Sequence, residues 1–78
     1  MNPMAMEEIP NLQTVLTERQ LEVVGLLANG HNNIQTSSIL SINSQTVRKH
    51  IIRAMRRVGA QTRTQLVVLY VVWKLKAP

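Results

Sequence analysis

The chain has no cysteine, no aspartate and no phenylalanine among its 78 residues. Without cysteine there is neither a disulfide framework nor a thiolate metal site, so folding rests on packing alone and a reducing cytosol fits. Acids are scarce: Glu7, Glu8, Glu18 and Glu22, with His31 and His50, are the whole stock of groups for acid, base or metal chemistry. No two of them stand at a recognisable catalytic or ligand spacing, which argues against an enzyme and against a metal centre or other cofactor. Tyr70 and Trp73 are the only aromatics, too few for the stacking platforms that hold single-stranded nucleic acids and RNA. A nucleic-acid partner, if there is one, is therefore duplex DNA. Long apolar runs are missing too. The longest, Leu66 to Trp73, has eight residues, against the roughly 20 that span a bilayer. The opening stretch MNPMAMEEIPNLQTV carries acids where a secretory leader needs positive charge, and Pro3 and Pro10 interrupt it. The expectation is a soluble cytoplasmic chain with no membrane contact.

What is present is positive charge in a particular place. Nine Lys and Arg against four Glu give a formal charge of +5, which by itself is weak evidence of an anionic partner. Its distribution says more. All four acids fall in the first 22 residues, whereas eight of the nine basic residues lie between Arg48 and Lys76. The length suits one small domain.

Residues 1–15 read as a flexible arm and 16–76 as the folded domain. A first helix opens at T-E-R-Q, where Thr17 and Gln20 can each satisfy an exposed backbone N–H of the first turn. Leu21, Val23, Val24, Leu27 and Ala28 recur at helical spacing, and Gly30 supplies the left-handed residue that ends the helix. Gly25 inside it costs about 1 kcal/mol relative to alanine, a cost that close helix packing would explain. Asn32-Asn33-Ile34-Gln35 repeats the cap arrangement for a short helix closing before Ser41. Asn43 caps a third helix from Ser44 to Val58, with Gly59 at its stop, and Thr62-Arg63-Thr64-Gln65 opens a fourth that runs to about Leu75. Four helices joined by short turns predict an all-α domain.

At about 100° per residue, Val47, Ile51, Ala54, Met55 and Val58 of the third helix share a core-facing stripe. Gln45, Lys49, Ile52, Arg53 and Arg56 fall on the opposite side, flanked by Arg48 and Thr46. That surface suits a major groove, where phosphates take Lys, Arg and Thr, and base edges take Gln or Arg in bidentate geometry. The short helix before it, joined through Ser41 and Ile42, forms the first half of a helix-turn-helix. A charged helix face is ordinarily just solvated, however, and pattern alone leaves DNA binding and a plain helical domain evenly matched.

The runs LTERQLEVVGLLANG, NNIQ, LSINSQTVRKH and VGAQTRTQLV resemble the LuxR/GerE-type helix-turn-helix domain of bacterial transcription regulators. The likeness covers Leu16 to about Val72, and T-V-R-x-H and G-x-x-x-R-T at the family's spacing are its specific elements. It implies a four-helix domain whose third helix enters the major groove of double-stranded DNA. It also implies a stand-alone regulator of bacterial or phage origin, nucleoid-associated in the cytoplasm, because no sensor fits in a 15-residue arm. Carried over by position, the base-contacting sites fall on Gln45, Arg48, Lys49 and Ile52. Phosphate-contacting sites fall on Thr46, His50 and Arg63, and the basic and amide side chains of Arg53, Arg56 and Asn33 take the same role. His50 projects near the core edge, where positioning the helix and touching a phosphate are both open.

Three departures bear on affinity. The family usually has a basic residue where Ile34 stands, Ile then Ala where Thr36 and Ser37 stand, and a polar or basic residue where Ile52 stands. Thr36 puts a hydroxyl under the recognition helix, tolerable if it bonds back to a helix carbonyl. Ile52 suits a thymine methyl. The last helix, apolar all the way round from Leu66 to Trp73, has more apolar surface than one domain can cover. A homodimer through Val68, Leu69, Val72 and Trp73 is the expectation, as the related family pairs its domains through this helix. RNA polymerase or a related regulator is a further partner class. The alternative function is a small interaction protein that pairs through the last helix with a larger regulator of the family and blocks its DNA binding. A sigma-factor region four module is less consistent with the capped helix after Gly59.

Overall fold

Each helix starts where a side chain can receive the backbone N–H groups that a first turn leaves unpaired. In the structure, a computed structural model that describes residues 9–76, Asn11 opens α1 (Leu12–Val15) and Thr17 opens α2 (Glu18–Ala28). Asn32 opens α3 (Asn33–Leu40), Asn43 opens α4 (Ser44–Val58), and Thr62 stands before α5 (Arg63–Lys76). At α2 the Thr17 hydroxyl accepts from the Gln20 N–H at 3.1 Å while the Gln20 side chain accepts from the Thr17 N–H at 3.0 Å. Asn32 and Gln35 make the same exchange. At α5 the pattern shifts by a residue. Thr62 Oγ1 accepts from the Gln65 N–H, but Gln65 Oε1 takes the N–H of Gln61 at 2.7 Å.

The stops of α2, α3 and α4 follow one geometry. Gly30, Ser41 and Gly59 are left-handed, with φ of 93°, 55° and 73°. The next residue in each case donates back five positions: His31 to Leu26, Ile42 to Ser37 and Ala60 to Met55. Two of the three are glycine, which adopts this conformation without a Cβ clash. Ser41, in the turn between α3 and α4, is the one side-chain-bearing residue with positive φ among the described residues.

The all-α expectation holds, with five helices among the described residues rather than four. The added one is α1, inside the stretch read as a flexible arm. Residues 1–8 of that stretch lie outside the described residues, but its end is folded: Leu12 is 0% exposed and Leu16 5%. The physical reason is a cap followed by a minimal apolar spacing. Asn11 Oδ1 accepts from the Gln13 N–H at 3.0 Å, and Leu12 and Leu16, one turn apart, point into the core.

α2 packs chiefly against α4 and α5, and α3 against α4. Val23, Val24 and Leu27 of α2 meet Val47, Ile51 and Ala54 of α4 and Leu66 of α5, and Leu12 and Leu16 complete the core. Gly25 has its explanation here: a Cβ on it would lie 3.0 Å from the Tyr70 hydroxyl and 3.4 Å from the ring carbon bearing it. Close approach of α5 therefore offsets a helix-propensity cost of about 1 kcal/mol. Thr36 departs from expectation. It is fully buried, and its hydroxyl has no hydrogen-bond partner. It does not bond back to a helix carbonyl, whereas the neighbouring Ser37 does, to Ile34 at 2.7 Å.

Candidate nucleic-acid interface

α4 is amphipathic because its apolar residues recur on one side. Val47, Ile51 and Ala54 are buried, and Met55 and Val58 pack partly buried against the core. The opposite side is polar. Gln45, Arg48, Lys49, Ile52, Arg53, Arg56 and Arg57 are exposed, while Thr46 and His50 are half-buried at its margin. Asn43 sets the start of the helix firmly, its side-chain oxygen accepting from the N–H groups of both Gln45 and Thr46.

The electrostatics of this surface are one-sided. Arg48, Lys49, Arg53, Arg56 and Arg57 lie on α4, and among the described residues the carboxylates are Glu18 and Glu22 of α2. Glu22 pairs with Arg19 at 3.6 Å across one turn, and no carboxylate among the described residues pairs with the cations of α4. Burial, then the charges of Arg19 and Arg53, push the His50 imidazole below its ordinary value of 6.5. His50 is thus neutral near pH 7, with its charged form disfavoured by burial and by two arginines. It is also half-buried, so both roles open for it in the sequence remain geometrically available.

Two further expected site residues come together from distant parts of the chain. Arg63, at the start of α5, donates to Asn33 Oδ1 at the start of α3 at 2.6 Å. This ties the first half of the helix-turn-helix to the last helix beside the polar surface.

The apolar residues of α5 divide between core and surface. Leu66 is buried, Tyr70 and Trp73 pack against the core, and their rings meet at 5.8 Å. Trp73 Nε1–H donates to Asn11 Oδ1 at 3.2 Å, and the half-buried indole thereby ties α5 to the start of α1. Leu69 is half-buried. The outward residues are Val68, 53% exposed, Val71, 40%, and Leu75, 80%, beside half-buried Val72. Val71 and Leu75 escaped the sequence reading, although spacing of three, four and seven from Val68 was the signal that finds them. Arg57 is one of the five basic residues that the sequence places on α4, with no contact assigned to it.

Two packed helices joined by a tight turn, the second presenting a basic face with an apolar back, define a helix-turn-helix DNA-binding domain. The chain belongs to the family described as bacterial regulatory proteins, luxR family, which matches residues 14–70. Domains of this family bind DNA in transcription regulation. Among curated proteins it is 40% identical over 57 residues to the nitrate/nitrite response regulator protein NarP of Escherichia coli K12, covering 73% of this chain and 26% of NarP. It is 33% identical over 63 residues to the response regulator protein VraR of Staphylococcus saprophyticus, covering 81% of this chain and 30% of VraR. The chain therefore spans less than a third of the length of these relatives. No solved structure gives a significant match. No helix among the described residues is long and apolar enough to cross a membrane.

Proposed function

We propose that this domain reads double-stranded DNA in a sequence-specific way, with α4 in the major groove, as a cytoplasmic, nucleoid-associated transcription regulator. Gln45, Arg48, Lys49 and Ile52 meet base edges, and Asn33, Thr46, His50, Arg53, Arg56 and Arg63 meet phosphates. The observation that carries this is the division of α4 between a buried apolar back and an exposed face whose five cations have no carboxylate partner among the described residues. The side-chain types fit the groove. Arg48 and Lys49 suit guanine O6 and N7, Gln45 suits adenine, and Ile52, 37% exposed, suits a thymine methyl. DNA reading is proposed as a property of this domain by itself, acting as a homodimer through α5.

The test is selection of bound sites from random duplex DNA by the purified 78-residue chain, followed by the same selection with Arg48→Ala and Lys49→Ala. A defined consensus is expected. Each substitution should relax one base position at a loss of about 1–3 kcal/mol there. Recovery of no preferred sequence sinks the reading. Capture of a full-length family regulator through α5, without retention of DNA, selects the alternative role as an interaction protein.

A further inference from the structure

Most of the outward residues of α4 lie in two parallel rows, with Arg48 on the far flank of the first. Gln45, Lys49, Ile52 and Arg56 form the row opposite the core. Thr46, His50, Arg53 and Arg57 form a second, turned by about 100° toward α2. That direction is fixed by two observations. The charge of Arg19 on α2 acts on His50, and Gln20 of α2 lines an open cleft of about 360 Å³ together with Arg53, Arg56 and Arg57. Gln20 is 6% exposed and held in place by its exchange with Thr17. Arg57 enters none of the contacts assigned above.

Three guanidiniums around one cleft, with no carboxylate paired to them among the described residues, make a place for an anion. The planar, doubly donating guanidinium suits phosphate oxygens. Geometry narrows the anion to a phosphodiester of the same duplex. A helix is about 10–12 Å across with its side chains, and the major groove is about 12 Å wide. A helix lying in the groove therefore turns one row to the floor and its neighbouring row to a wall, which is a line of phosphates. From Thr46 to Arg57 that second row runs about 16 Å. It ends in the arginine-lined cleft.

We infer that the cleft between α2 and α4 is a further phosphodiester-binding site, with Arg57 as the residue that extends the backbone grip beyond Thr46, His50 and Arg53. The site rests on the DNA-reading proposal above, and its effect is on affinity for any sequence, not on base choice. In the last turn of α4 Arg57 also faces the negative end of the helix dipole, so a loss of stability alone cannot identify the role.

The experiment measures the salt dependence of binding for wild type, Arg57→Gln and Arg57→Lys, using a short duplex with the selected site and one of scrambled sequence. Circular dichroism melts check that each variant is folded. Arg57→Gln should weaken binding to both duplexes by the same factor and lower the slope of log affinity against log salt by about 1 per bound chain. Arg57→Lys, which keeps the charge, should retain the wild-type slope. An unchanged slope in folded Arg57→Gln overturns the inference while leaving groove reading intact. A loss confined to one base position overturns it too, because Arg57 would then read sequence. Failure of the wild-type chain to bind either duplex removes the DNA-reading proposal itself.

Discussion

The Thr36 hydroxyl is a polar group taken out of water and given nothing in return. Leaving a buried donor or acceptor unpaired costs about 1–3 kcal/mol. Valine has nearly the same shape without the hydroxyl, so Thr36→Val should raise the unfolding free energy by about 1 kcal/mol or more in urea denaturation. Thr36→Ala should give less stability than Thr36→Val, because it also removes a packed methyl group. Equal or lower stability of the valine variant would show that the hydroxyl is paired. His50 supplies a second prediction, in pH. Its folded value lies below 6.5, so the unfolded chain binds more protons in the window just below 6.5, and stability contributed by this group is lost as pH falls through it. A phosphate beside the imidazole acts in the opposite direction. It favours the protonated form, so DNA affinity should rise over the same fall in pH. His50→Gln should flatten both trends, measured by urea denaturation and by duplex titration between about pH 7.5 and 5.5. A rise in free-protein stability with acidification that His50→Gln abolishes would reverse the sign argued here.

At the scale of the elements, α2 to α5 were legible because each carries its own start within a few residues, and α2 and α4 add an apolar period and a glycine near the stop. Thr17 with Gln20, and Asn32 with Gln35, are local devices whose partners sit three positions apart. The two faces of α4 also follow from a helical period sustained over 15 residues, long enough to separate core from surface without any neighbour. α1 was not legible in this way. It has four residues, shorter than any period can establish, and its stability comes from contacts with α2 and α4 rather than from the segment. Long-range pairings were equally hidden: Arg63 meets Asn33 across 30 residues, and Trp73 meets Asn11 across 62. Trp73 shows the consequence. In sequence it is one of eight apolar residues, and nothing there shows that its ring N–H is bonded to Asn11. If α1 belongs to the domain, Leu12→Ala should cost about 2–5 kcal/mol in urea denaturation, as burial of a leucine implies. A change within about 0.5 kcal/mol, as at an exposed position, would return residues 9–15 to the status of an arm.

For the molecule as a whole, the basic face of α4 is one surface and an exposed apolar stripe on α5 is another. Val68, Val71 and Leu75 lie along α5 with Val72 beside them, all on the side away from buried Leu66. Three large apolar side chains in a row on a domain of this size are a surface suited to self-association. In the proposed homodimer, a twofold axis through α5 would set the same stripe against itself, with Val68 of one chain meeting Leu75 of the other. It would also hold two α4 helices for two half-sites about one helical turn of DNA apart. Linking two readers in this way raises apparent affinity by about 10²–10⁴ without a new DNA contact. The double change Val68→Ser with Leu75→Ser removes apolar area from exposed positions, so the helix content and melting of the chain should change little. Sedimentation at tens of micromolar should then show a dimer for wild type and a monomer for the variant. Affinity for a two-half-site duplex should fall by about 10²-fold or more, while affinity for a single half-site stays the same. A monomeric wild type, or a variant that keeps full affinity for the paired site, would mean that each domain reads its DNA alone.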